Sequence, residues 1–190
     1  MTDYKMIQKK AAELRVLYGP ANIRGVIRGL DLTLLELPMG TEPDSIRAFI
    51  MKSSRCAAIT LNCDLLDDAV PFILAHETGH YVMNHLQGTF CAFRDSHFGY
   101  SSGSTELARM ENEATFFAAE YLLDTKETLE LLHEYDMLTA AKILKVPPEF
   151  LDFKARLMLH DGLIASYSEY IPVRSDFLKD VPLAAGSDPV

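Results

Sequence analysis

The feature that most constrains this chain is the pentad His-Glu-x-x-His at residues 76–80, which lies inside an apolar run. In a helix, at about 100° per residue, His76, Glu77 and His80 all project from one side. The other side carries small or apolar residues at steps of three and four: Phe72, Ala75, Gly79, Val82 and Leu86. Since such a helix buries one side and must still satisfy its polar groups, the pattern predicts a helix that lines a metal-binding cleft.

The residue types of the pentad indicate a zinc site with a general base beside it. Two imidazoles at this spacing suit zinc, and the carboxylate between them is placed to work on a water molecule. We therefore expect His76 and His80 to be metal ligands and Glu77 to be catalytic. The alternative, two surface histidines that share a helix face by chance, does not explain the small residues Ala75 and Gly79 around them.

A third histidine, His85, follows the pentad closely. In one class of metalloprotease a third histidine is a ligand, but that class requires His-x-x-Gly-x-x-His after Glu-x-x. Here the histidine comes one residue too early and the required glycine is missing. On a continuous helix it would also project about 180° from His76. We expect a structural or solvent-facing role for His85.

Composition excludes several classes of function. The chain has 190 residues, 48% of them hydrophobic, which is enough for one compact domain with a sizeable core. Its formal net charge of -9 argues against direct nucleic-acid binding, although a basic protein partner is compatible with it. Neither a signal-peptide pattern nor an apolar run long enough to span a membrane is present, so we expect a cytoplasmic protein. The odd number of cysteines, Cys56, Cys63 and Cys91, favours reduced thiols over a disulfide framework.

Hydrophobic periodicity and turn residues predict an α+β fold, in which a small, mostly antiparallel sheet of about three strands packs on a helical bundle that carries the pentad. The predicted strands are 32–37, 46–51 and 57–61. The predicted helices besides the pentad helix are 3–18, 21–28, 106–123, 125–135, 138–144 and 150–159. We expect one domain over 1–170, with its helical C-terminal part at 125–160, and a loosely ordered tail over 171–190.

Two connecting segments bear on the site. Residues 62–68 lead into the pentad helix, and an aspartate there, Asp64, Asp67 or Asp68, is predicted to cap it. Residues 88–105 are rich in Gly, Ser and aromatic residues and are predicted to form a long loop over the site.

A catalytic zinc ion held by two histidines takes one more protein ligand and leaves a position for water. A glutamate on the helix 106–123 suits this role, and the candidates are Glu106, Glu111, Glu113 and Glu120. Glu111 and Glu113 lie at opposite margins of the apolar side of that helix. Helical geometry alone therefore leaves both open.

The chain resembles the ImmA/IrrE family of zinc metallo-endopeptidases over roughly residues 3 to 160. The matching motifs are Leu74-Ala75-His76-Glu77-Thr78-Gly79-His80 and Glu111-Asn-Glu113-Ala114-x-x-Phe117-Ala118-Ala119-x-x-Leu122-Leu123. The resemblance implies a zincin-like fold and puts the third zinc ligand at Glu113, the glutamate directly before Ala114, as a similar Asn-Glu-Ala segment of thermolysin-like enzymes also does. The sequence departs from the pattern at Thr115, where the family has Asn or Asp, and at Phe117, where thermolysin-like enzymes have Asp.

The expected function is peptide-bond hydrolysis, in which Glu77 takes a proton from a zinc-bound water and passes it to the leaving amine. His97, Tyr100 and Tyr121 are candidate donors to the oxyanion. The resemblance implies that the substrate is a helix-turn-helix repressor, whose cleavage relieves repression in a mobile element, prophage or stress response. One alternative is a regulatory protein-binding module with a structural or latent zinc site. Direct DNA binding through 138–159 is disfavoured because few basic residues follow its candidate helix-turn-helix half.

Overall fold

The computed structural model describes residues 3–20, 22–42, 45–53, 56–65, 69–86, 105–165 and, for the backbone, 91–94. Its helices are α1 (Tyr4–Tyr18), α2 (Ile23–Gly29), α3 (Val70–Val82), α4 (Glu106–Leu122), α5 (Thr125–Glu134), α6 (Met137–Leu144) and α7 (Pro148–His160). Its strands are β1 (Leu32–Leu37), β2 (Ile46–Lys52), β3 (Ala57–Asn62) and β4 (Cys91–Arg94). This arrangement confirms the predicted α+β class, with a small sheet packed on helices. No helix in the described ranges is long and apolar enough to cross a membrane.

The sheet has the strand order β1-β3-β2-β4. β1 runs parallel to β3, whereas β2 is antiparallel to both β3 and β4, so antiparallel pairing predominates as predicted. The three predicted strands are present. The prediction of an unbroken loop over 88–105 is wrong at β4, because these four residues pair with β2, which is far away in sequence. A strand this short carries too little hydrophobic alternation to be recognised by pattern.

The sheet and the helices α1, α2, α3, α4 and α7 share one hydrophobic core. Ile50 of β2 and Ile59 of β3 are fully buried on the sheet side, and Phe117 of α4 is fully buried on the helix side. A second cluster joins α5, α6 and α7. α3 therefore lies in the interior of the fold, and nine consecutive residues of it, Phe72 to His80, are buried.

The start of α3 differs from the prediction. Ala69 occupies the cap position and makes no side-chain capping bond, while Pro71 stands in the first turn. Proline is favoured there because the N–H it lacks would have no partner inside the helix. Asp64 instead accepts a hydrogen bond of 2.9 Å from the backbone N–H of Gly40, so its predicted capping role is wrong. Asp67, Asp68 and the predicted tail over 171–190 lie outside the described residues, whereas Cys56 and Cys63 are free thiols as predicted.

Candidate metal centre

The pentad lies on α3 with all three of its polar side chains buried. His76, Glu77 and His80 are each 1% exposed. The Nε2 atoms of the two histidines approach to 3.1 Å, so both imidazoles point at the same place. The predicted one-sided projection of the pentad therefore brings the two histidines together, with the sheet and α4 excluding solvent.

The carboxylate that meets the histidine pair is that of Glu111, on α4. Its Oε2 atom lies 3.2 Å from His76 Nε2 and 3.6 Å from His80 Nε2. Ligand atoms at zinc–nitrogen and zinc–oxygen bond lengths in a tetrahedral site are about 3.3 Å apart, so this spacing fits a metal ion bound between them. Among the described residues, His76, His80 and Glu111 are the group of three whose ligand atoms all lie within 4.8 Å of one another.

Electrostatics supports the same grouping. Burial by itself would raise the pKa of Glu111, but its contacts with His76 and His80 hold that pKa well below the ordinary range of a carboxyl group. Burial also lowers the pKa of His80, which favours the neutral imidazole that a metal requires. The three side chains thus present one carboxylate and two imidazoles to a shared point, and this donor set suits a divalent transition metal.

Glu113, which the resemblance put in the place of the third ligand, lies elsewhere. Its Oε2 atom is 3.0 Å from His85 Nε2 and its Oε1 atom is 2.6 Å from Arg109 Nη1. Residues two positions apart on a helix are rotated by about 200° from each other, so Glu111 and Glu113 point in different directions. Glu111 is the one that reaches the histidine pair. The geometry brings together His76, His80 and the alternative carboxylate, Glu111.

Thr115 accounts for the orientation of His76. Its hydroxyl lies 3.2 Å from His76 Nδ1 and donates a hydrogen bond of 2.9 Å to the carbonyl oxygen of Glu111. Since its one proton is used there, the hydroxyl accepts the Nδ1–H of His76 and leaves Nε2 unprotonated. Thr115 stands four residues after Glu111, on the same face of α4. This polar residue at i+4 was the signal in the sequence that distinguishes Glu111 from Glu113, which is followed at i+4 by the apolar Phe117.

Glu77 is the least satisfied group of the site. Neither of its carboxylate oxygens has a side-chain hydrogen-bond partner among the described residues. Burial raises the pKa of Glu77 well above its ordinary value and the charge of Glu111 raises it further, while the nearby backbone of Ile50 opposes both. A buried carboxyl group without a side-chain partner is destabilising, and a carboxyl group with a raised pKa beside candidate metal ligands is typical of functional sites.

Of the three predicted oxyanion donors, Tyr121 is the one that lies within the described residues, and its hydroxyl is hydrogen-bonded elsewhere. Tyr121 is fully buried, and its hydroxyl donates a hydrogen bond of 2.6 Å to the carbonyl oxygen of Gly19. That contact ties α4 to the chain after α1, so the hydroxyl is already engaged in the fold. His97 and Tyr100 lie outside the described residues.

The comparisons with known proteins agree with this geometry. Residues 28–156 match the family model Peptidase_M78, described as an IrrE N-terminal-like domain. The matched span runs from the end of α2 into α7 and includes every residue of the candidate metal centre. No curated protein and no solved structure matches the chain. The family match points to a peptidase, and the gathered His-His-Glu group is compatible with a metal.

Proposed function

The chain belongs to the Peptidase_M78 family of IrrE N-terminal-like domains, and from that premise we propose that it is a zinc-dependent endopeptidase. The zinc ion would be held by His76, His80 and Glu111 through the atoms that converge in the candidate metal centre. Two imidazoles and one carboxylate are a donor set typical of hydrolytic zinc sites that keep a position for water. Glu113, the ligand implied by resemblance, takes no part in this proposed coordination.

The observation that carries the proposal is the buried carboxyl group of Glu77, which lies beside the ligand group and has no side-chain hydrogen-bond partner among the described residues. A zinc ion in such a site supplies a Lewis acid that acidifies water and polarises a peptide carbonyl. The carboxylate of Glu77 accepts the proton of the attacking water and returns it to the leaving nitrogen. Burial raises the pKa of Glu77 above the ordinary carboxyl value, which makes its carboxylate a stronger base.

We propose a protein substrate, specifically a helix-turn-helix repressor in the cytoplasm, whose cleavage relieves repression in a mobile element, prophage or stress response. Support for the repressor comes from the family resemblance. The net charge of -9 also favours association with a basic DNA-binding protein rather than with DNA itself.

Metal analysis of a matched pair of variants tests the ligand assignment. Glu111→Gln and Glu113→Gln make the same chemical change two positions apart on one helix. After dialysis against metal-free buffer, we expect wild type to keep about one zinc per chain, Glu113→Gln to keep most of it, and Glu111→Gln to lose most of it. The reverse result would return the third ligand to Glu113.

Cleavage by the Glu77→Gln variant tests the enzyme against the alternative of a regulatory module with a structural zinc site. We expect this variant to bind zinc and fold normally but to lose cleavage by about 100-fold or more. The substrate is sought by labelling new N-termini in cells that express the wild type or Glu77→Gln beside the repressor encoded nearest the gene. A Glu77→Gln variant that still relieves repression would establish the binding module instead.

A further inference from the structure

A chain of three polar side chains, to which the hydrolytic scheme assigns no role, leads away from His80. His80 Nδ1 lies 3.1 Å from His85 Nδ1, and His85 Nε2 lies 3.0 Å from Glu113 Oε2. The other oxygen of Glu113 is 2.6 Å from Arg109 Nη1. We call His85, Glu113 and Arg109 the positioning relay.

The end of α3 explains how His85 reaches this place. A continuous helix would point His85 away from the pentad, but α3 stops at Val82. Asn84 then adopts a left-handed backbone conformation with φ of 59°. The backbone N–H of His85 donates a hydrogen bond of 2.9 Å to the carbonyl oxygen of His80. This reversal closes the last turn of the helix and returns the imidazole of His85 to the ring of His80.

The ion pair of Glu113 and Arg109, at one end of the relay, determines which nitrogen of each histidine carries a proton. The Glu113 carboxylate, paired with Arg109, only accepts hydrogen bonds, so His85 donates to it through Nε2–H. The Nδ1 atom of a neutral His85 is then an acceptor, and it takes the Nδ1–H of His80. That assignment leaves His80 Nε2 unprotonated, which is the form that binds a metal.

We propose that His85 and Glu113 are positioning residues that fix the tautomer and ring orientation of His80 for metal binding. The proposal rests on the proposed zinc site and adds two residues that act through a ligand. Both are well shielded, with His85 6% and Glu113 3% exposed, so water competes little for their hydrogen bonds. On the Nδ1 side of His76 the contact is instead a neutral hydroxyl, that of Thr115. The two histidine ligands are therefore oriented by separate devices.

Matched substitutions at His85 separate a hydrogen-bonding role from a space-filling one. Gln can accept from His80 and donate to Glu113, whereas Leu fills similar space and does neither. With zinc affinity measured by competition against a chelator, we expect His85→Leu to bind about 10–100-fold more weakly than wild type and His85→Gln to stay within about threefold. Glu106→Gln is the control, because Glu106 contacts the far side of Arg109 at 3.7 Å and is 83% exposed.

The tautomer of His80 is a second measurement, independent of activity. Nitrogen-15 NMR of the zinc-loaded wild type should show His80 with Nδ1 protonated and Nε2 bound to metal, and the Nδ1–H resonance should lose its hydrogen-bonded shift in His85→Leu but keep it in His85→Gln. Adding Glu113→Gln to His85→Leu should lower zinc affinity little further, because Glu113 acts through His85. Thermal unfolding of the metal-free variants shows whether each one folds.

Three results would overturn the relay: wild-type zinc affinity in His85→Leu, equal losses in His85→Leu and His85→Gln, or a His80 that binds metal through Nδ1. Failure of the zinc site itself has a different signature. His80→Ala must lose zinc if the proposed function holds. If His80→Ala loses zinc while His85→Leu keeps wild-type affinity, only the relay is refuted; if His80→Ala keeps its zinc, the zinc site and the relay fall together.

Discussion

At the scale of single residues, the candidate site contains both satisfied and unsatisfied polar groups. The Nδ1 atoms of His76 and His80 each face a partner, Thr115 and His85, so their rings are fixed before any ligand arrives. Glu77, on the same helix, has no side-chain hydrogen-bond partner among the described residues. Under the proposed function, the two histidines would be preorganised ligands and Glu77 a base that is free to accept a proton.

The pH dependence of stability in the metal-free protein tests the environment of Glu77. Because its pKa is raised in the folded state, folded protein holds the proton more tightly than unfolded protein does. Its contribution to stability is therefore fully present below the ordinary carboxyl pKa and is lost as pH rises through the raised value. Glu77→Gln removes this dependence. By urea unfolding of chelated protein, we expect the variant to be more stable than wild type by about 1–3 kcal/mol at neutral pH and to lose that advantage near pH 4. A difference that stays constant with pH would contradict the assignment.

Among the secondary-structure elements, the site depends on the close approach of α3 and α4, which carry its three candidate ligand side chains. Gly79 stands at the contact, one position before His80. A Cβ atom there would lie 3.0 Å from both the Cα and the carbonyl oxygen of Ala114, and 3.1 Å from the ring of Phe117. Because two of these atoms belong to the backbone of α4, only a shift of one helix relative to the other would make room.

Gly79→Ala is expected to weaken both folding and metal binding. The added methyl group forces α3 and α4 apart, and we expect a loss of about 1–3 kcal/mol in the free energy of unfolding together with weaker zinc binding, since Glu111 would be drawn away from the histidines. Gly29→Ala on α2 is the comparison for metal binding, because its methyl group would displace the Tyr18 side chain rather than the backbone of α4. Urea unfolding and chelator competition measure the two effects. Equal losses of zinc affinity in the two variants would show that α3 and α4 do not pack as described.

At the scale of the whole molecule, α7 joins the two hydrophobic clusters. Phe150 and Phe153 belong to the cluster around α3 and α4, whereas Leu151 and Ala155 belong to the cluster with α5 and α6. Between them Lys154 is fully buried, and its Nζ lies 2.9 Å from Glu120 of α4. The same nitrogen is 2.8 Å from the hydroxyl of Thr125, at the start of α5. One ammonium group thus links three helices.

Lys154→Met should be strongly destabilising, because it leaves the carboxylate of Glu120, whose side chain is 11% exposed, without its cation. We expect a loss of about 3–5 kcal/mol in the free energy of unfolding, which the double variant Lys154→Met, Glu120→Leu largely restores, as replacing a whole buried pair by apolar residues is often neutral. Urea unfolding of both variants checks this. If the double variant is as unstable as the single one, the lost stability does not come from the unpaired carboxylate of Glu120.

Much of this protein is readable from local sequence. The strands 32–37 and 57–61 and the helices 3–18 and 106–123 match β1, β3, α1 and α4 to within a residue at most ends, because each carries its own periodicity and its own turn residues. The convergence of His76 and His80 is likewise predictable, since four positions on a helix fix it. β4 could not be predicted in this way, because its four residues form a strand chiefly by pairing with β2.

Local sequence is therefore sufficient to predict the α+β class, the convergence of His76 and His80, and the carboxylate of Glu77 beside them. Tertiary structure determines which carboxylate joins them: the polar Thr115 at i+4 distinguishes Glu111 from Glu113 in the sequence, but the rotation of α4 against α3 is what brings Glu111 to the histidines. It also decided the role of His85, because the helix ends before that residue and the backbone reverses. The physical reason is the same in both cases. Periodicity specifies where a side chain points on its own helix, whereas the residue that it meets depends on how two helices pack.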